Sequence, residues 1–203
     1  MSFGLIVGNG ESRLTLDTSV YEKKDTWGCN LVYREFTPRT LVCCDKNILI
    51  TAISERAERS SSIWTRKMWS GKLDLQDINY LPEDLPFPKE SKHDLHLHWG
   101  SGTYAAYLAC LSPHDILVFV GFDLWGNKDN KINNVFKGQN GYGPADGDAV
   151  GPQGWIHQIS RLIGHFSKKQ FVFLNLPSWK PPESWTDHDN FFQDDLKQVN
   201  NLG

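Results

Sequence analysis

Short apolar runs bounded by turn-forming residues recur along the chain, with helical patterns between them. The runs predict strands at Phe3 to Val7, Thr26 to Cys29, Thr40 to Cys44, Ser61 to Thr65, Asp115 to Gly121 and Gln170 to Leu174. Helices are predicted over Ile48 to Ala57 and over Ser101 to Leu111. A third starts near Pro152, a residue suited to a first helical turn, and places Ile156, Ile159, Leu162, Ile163 and Phe166 on one stripe. Strands alternating with helices imply an α/β protein with a mostly parallel sheet flanked by helices.

The 203 residues suffice for one well-buried core. The expected division is a single domain over residues 1–176 and a Pro/Trp-rich tail over residues 177–203, packed on the body or on a second copy in a homo-oligomer. Asn79 to Ser91 holds Pro82, Pro86 and Pro88 and is expected to be irregular. Phe122 to Gly151, rich in Asn, Asp and Gly, is long for a connection inside one domain, as lids and binding loops are.

Charge and composition narrow the classes. With 21 basic and 24 acidic residues and a net charge of -3, no positive excess is available for a nucleic-acid backbone, which argues against non-specific binding to it. No apolar run reaches the roughly 18 residues of a membrane span, and signal-peptide regions are lacking at the N-terminus, so a cytoplasmic protein is expected. Cys29, Cys43, Cys44 and Cys110 have no metal-ligand spacing and read as reduced, mostly buried thiols. The eight tryptophans read as core packing and surface closure in preference to stacking platforms.

Candidate chemistry gathers at strand ends. Gly8-Asn9-Gly10-Glu11-Ser12 follows the first strand: the glycines allow a sharp turn and close approach to the main chain, and the Asn9 amide can donate and accept at once. Asn30 and Asp45 follow the second and third strands, where they either line a crevice or cap the next segment. Ser101-Gly102-Thr103 opens a helix and could hold an anion on free N–H groups, or act as a simple cap. Asp123 ends the strongest strand on the same edge. His93 to His98 alternates, so as a strand it would turn His96 and His98 to one face. No further ligand accompanies that pair, so no zinc site is expected. Ser12 and Ser101 carry no nucleophile motif.

Taken together, Ile6 to Ser12, Gly28-Cys29-Asn30, Gly100 to Tyr104 and Gly121 to Asn127 resemble the bacterial lipooligosaccharide sialyltransferases. They are also similar to the 6-hydroxymethylpterin diphosphokinase MptE-like group and to phage proteins of this pattern. The resemblance runs over about residues 3–175 and implies a Rossmann-like, nucleotide-dependent transferase. Asn9, Asn30 and the Ser101-Gly102-Thr103 turn would then contact a nucleotide or nucleotide-sugar, and the strand-end positions Gly8, Gly10, Ser12, Asp45 and Asp123 are read as part of the same site. For a phage-encoded chain the expected place is the host cytoplasm. The sialyltransferases place a histidine base in the segment before the last helix, whereas this chain has Asp146 and Asp148 there and no histidine between His114 and His157. Asp148, Asp146 and His157 are the candidate bases, Asp148 foremost because it lies nearer the Pro152 helix; the alternative role of the two aspartates is to shape a turn. Three functions stay open: a nucleotide-sugar-dependent glycosyltransferase, an ATP-dependent diphosphokinase with magnesium held by Asp45 and Asp123, and a non-catalytic binding or structural protein on the same fold.

Overall fold

The computed structural model describes residues 2–22, 25–73 and 77–201. Its strands in chain order are β1 (Phe3–Val7), β2 (Asp25–Cys29), β3 (Thr40–Cys43), β4 (Ser62–Thr65), β5 (Asn79–Tyr80), β6 (Ile116–Val120), β7 (Gln170–Asn175) and β8 (Phe191–Asp195). Helices are α1 (Ser19–Glu22), α2 (Lys46–Ser54), α3 (Ser101–Cys110), α4 (Gln153–His165) and α5 (Glu183–Thr186). All eight strands run parallel in one sheet ordered β5-β4-β3-β2-β1-β6-β7-β8. The fold is thus α/β and Rossmann-like, with helices against both faces.

The strands are apolar on both sides because each face is covered. In β6, Leu117 and Phe119 face the layer of α3, α4 and α5, and Val118 and Val120 face that of α2 and the turns after β1 and β2. On the first face the Phe119 and Phe173 rings stack at 4.3 Å. Trp185, fully buried, lies 4.8 Å from Phe173. The four cysteines are free and buried. No helix among the described residues is long and apolar enough to cross a membrane.

The tail over residues 177–203, expected on the body or on a second copy, packs in its described part on the body, where it supplies α5, the buried Trp179 and Trp185, and β8, which extends the sheet beyond β7. Three expectations are corrected. A short strand, β5, precedes the prolines of the segment expected to be irregular. Helix α2 ends at Ser54, where the chain turns into the left-handed region at Arg56 (φ 61). Residues 92–98 form two 3-10 turns, so His96 and His98 do not share a strand face. A reciprocal capping box between Ser91 and Asp94 nucleates the first turn.

Candidate functional site

From β1 the sheet grows through β2 to β5 on one side and through β6 to β8 on the other. The strand order therefore reverses between β1 and β6, and in such sheets a crevice opens beyond the carboxyl ends at that point. The structure has a cavity of about 260 Å³ there. Its floor is two glycine turns in contact: the Gly8 N–H donates to the Val120 carbonyl at 2.8 Å and the Gly10 N–H to the Gly121 carbonyl at 2.8 Å. A Cβ on Gly8 would overlap the Gly121 carbonyl, and Gly121 itself has φ +69. Arg13, buried behind the turn, donates from Nε to the Gly8 carbonyl at 2.7 Å and pairs with Glu35.

One side of the cavity is polar. Asn9, 8 % exposed, donates from Nδ2 to the Cys29 carbonyl and to the Tyr142 hydroxyl, each at 3.2 Å. A carbonyl partner fixes which amide atom is nitrogen, so Oδ1 is the acceptor left over. The Oδ1 atoms of Asn9 and Asn30 are buried with no hydrogen-bond partner among the described residues. Asn30 is held in the left-handed region (φ 57), a conformation asparagine tolerates. Asp45 stands at the N-cap of α2 without capping it, and its exposed carboxylate accepts no hydrogen bond among the described residues. Over these strand ends lies α3, packed on β1, β2 and β3. Gly100, its N-cap, has no side chain to cap with. The N–H groups of Ser101, Gly102 and Thr103 in the first turn meet no acceptor among the described residues. The Ser101 hydroxyl instead accepts from the Cys44 N–H at 3.0 Å, and the Thr103 hydroxyl faces Gln158 Oε1 at 2.9 Å. What these residues offer a ligand is backbone.

The other side is apolar: Phe122 and Leu124 after β6, and Trp155 and Ile159 on α4. Leu124 has φ 65, a strained value for a bulky side chain. The long segment after β6 is docked in place. The Val135 N–H donates to the Asn9 carbonyl at 2.8 Å, and Asn133 Oδ1 accepts from the Glu11 N–H at 2.8 Å.

Of the residues read as nucleotide contacts, Gly8, Asn9, Gly10, Asn30, Asp45, Ser101, Gly102, Thr103 and Asp123 line the cavity, and Ser12 does not. Ser12 and Asp123 are turned to one another: the carboxylate accepts from the Ser12 N–H at 2.9 Å and from its hydroxyl, and Asn175 Nδ2 stands 3.4 Å away. Gly10 leaves the space in which this carboxylate sits, since a Cβ there would overlap it. Asp123 is therefore a clamp between two turns and fits poorly as a magnesium ligand, which leaves Asp45 as the lone carboxylate for that role. No cluster of three His, Cys, Asp or Glu side chains suited to a metal occurs among the described residues.

The three candidate bases lie outside the cavity. Asp146 and Asp148 are exposed on the long loop, where Lys131 pairs with Asp148 at 2.7 Å and lowers its carboxyl pKa. His157 follows Trp155 by two residues, which on a helix points it away from the face shared by Trp155 and Ile159. It lies at 2.7 Å from buried Asp94, which also receives Arg161 Nε at 3.1 Å and the Ser91 N–H at 2.7 Å. Burial alone would raise the Asp94 carboxyl; these donors, His157 first, hold it well below the usual range. The Ser91 hydroxyl reaches the same His157 nitrogen as Asp94, at 3.4 Å, so the three do not form a relay. Trp155 was not singled out from the sequence; its signal was a tryptophan just off the apolar stripe in the first turn of a helix.

Fold and cavity define a doubly wound parallel α/β protein with a half-polar, half-apolar crevice at its switch point. The chain has no match among protein families, curated proteins or solved structures, and what it does is read from this crevice.

Proposed function

We propose that the protein binds a nucleotide or nucleotide-sugar in this crevice and acts as a glycosyltransferase-like enzyme. The observation that carries the binding is the uncapped first turn of α3, three free N–H groups at a helix start, opening onto a cavity that Asn9 and Asn30 also line. Such a turn favours phosphate by hydrogen bonding and by the helix dipole. The buried amide oxygens call for donors, as ribose hydroxyls or a base amino group supply. The transfer step rests on the likeness of the strand-end motifs to nucleotide-dependent transferases. An acceptor proton would go to Asp45, a lining carboxylate with no hydrogen bond among the described residues. A second reading, a binding module without chemistry, is favoured by the distance of Asp146, Asp148 and His157 from the lining.

The test is a thermal-shift panel of cytidine, uridine, guanosine and adenosine nucleotides with and without magnesium. At a hundredfold excess over Kd a ligand adds about 2.7 kcal/mol, or about 5–10 °C for a domain of this size. Absence of any shift defeats the proposal. With a binding donor in hand, turnover is compared in wild type, Asp45→Asn, Asp148→Asn, Asp146→Asn and His157→Ala. Loss confined to Asp45→Asn, with donor affinity kept, is expected; binding without turnover in wild type supports the module.

A further inference from the structure

The crevice is divided by topology. Its polar groups come from the ends of β1, β2 and β3 and from α3, which lies over those strands, whereas its apolar groups come from the far side of the switch point, after β6 and on α4. On the apolar side stands Trp155, the one tryptophan in the lining, with 40 % of its surface exposed. Trp27, Trp99, Trp179 and Trp185 are buried, and Trp125, though exposed, spends its indole N–H on the Lys180 carbonyl at 3.0 Å. The Trp155 N–H meets no acceptor among the described residues, and no ring partner covers its face there. Its edge is seated on Gly100: a Cβ at that position would lie 3.2 Å from Nε1. Gly100 has φ -78, open to any residue, so the glycine serves the space beside the indole and not a special backbone conformation.

We infer that Trp155 is the platform on which the planar ring of the bound ligand stacks, so that the nucleobase lies toward β6 and α4 and the phosphate toward α3. An exposed large aromatic at a cavity mouth binds any flat ring through its face, with little demand on which base it is. The Asn9 and Asn30 amides, on the polar side, are then left to the sugar. The inference rests on the nucleotide reading and adds to it a residue, an orientation and a division of labour.

The experiment measures binding of the nucleoside monophosphates and of ribose 5-phosphate, which lacks the ring, to wild type, Trp155→Ala and Trp155→Phe. Trp155→Ala should lose about ten-fold or more in affinity for the nucleotide that wild type prefers. Ribose 5-phosphate affinity should stay unchanged, and Trp155→Phe should keep most of the nucleotide affinity. Intrinsic fluorescence quenched by the nucleotide in wild type should disappear in Trp155→Phe. Unaltered nucleotide affinity in a folded Trp155→Ala protein overturns the platform and leaves the nucleotide reading standing. No binding of any monophosphate to wild type overturns both. An equal loss for ribose 5-phosphate would make Trp155 a wall of the cavity and not a ring platform, and so also overturns the inference.

Discussion

At Gly8 a Cβ would meet the Gly121 carbonyl first, a backbone group that no side-chain rotation can move aside. Gly8→Ala should therefore destabilise the protein by about 3 kcal/mol, the upper part of the range for overpacking, as read from urea melts. Gly100 makes the opposite case. Gly100→Ser adds a good N-cap to α3, so thermal stability should hold or rise by a few tenths of a kcal/mol. Nucleotide affinity should fall, because the serine oxygen takes a first-turn N–H and its Cβ crowds the Trp155 indole; calorimetric titration separates the two effects. The glycines and asparagines at strand ends were legible in the sequence because turn chemistry is local. The use of Ser12 and Asp123 was not: 111 residues of chain separate them and nothing local shows that they close on each other.

Helix α4 carries one wall of the crevice on one face and a buried polar knot on the other. Gln158, with no exposed surface, donates to the His98 carbonyl at 2.9 Å and faces Thr103 on α3, and Asp94 gathers His157 and Arg161 beside it. The depressed carboxyl of Asp94 means that its contribution is whole above the unfolded value of 3.8 and declines as pH falls below it toward the folded value. Asp94→Asn should cost about 2 kcal/mol near neutrality, the scale of charged hydrogen bonds in a buried site. The gap from wild type should begin to narrow once the pH drops below the unfolded value, which urea midpoints across the acid range will follow. Among the elements, β1 to β4, β6 and β7 were legible because central parallel strands are apolar on both faces. β8, Phe-Phe-Gln-Asp-Asp at a sheet edge, and the two-residue β5 lack that signal. The His93 to His98 run was misleading because its alternation mimics a strand, while the Ser91 to Asp94 cap commits the backbone to a turn.

Over the whole molecule, the aromatic cluster of Phe119, Phe173, Trp179 and Trp185 makes the described segment after β7 part of the core. Emptying one buried tryptophan site costs about 3–5 kcal/mol against a total of about 5–15, so a chain ended after Asn175 should not fold. Circular dichroism and thermal melts of that truncation against Trp185→Ala, expected folded but weakened, check this. The buried thiols carry a further consequence. Burial pushes the Cys29 thiol up to about 12 and holds the Cys110 thiol in its uncharged form as well. A thiolate-selective reagent can thus label these sulfurs only during an opening, and the labelling rate becomes a clock for that opening. Cys29, at the cavity lining beside Asn9, should label when the Tyr142 region lifts, and Cys110, inside α3, only when the sheet parts from its helices. A nucleotide that occupies the crevice should slow the first clock more than the second, so that a sulfur in the crevice wall reports it from within, with Cys110 as the internal reference.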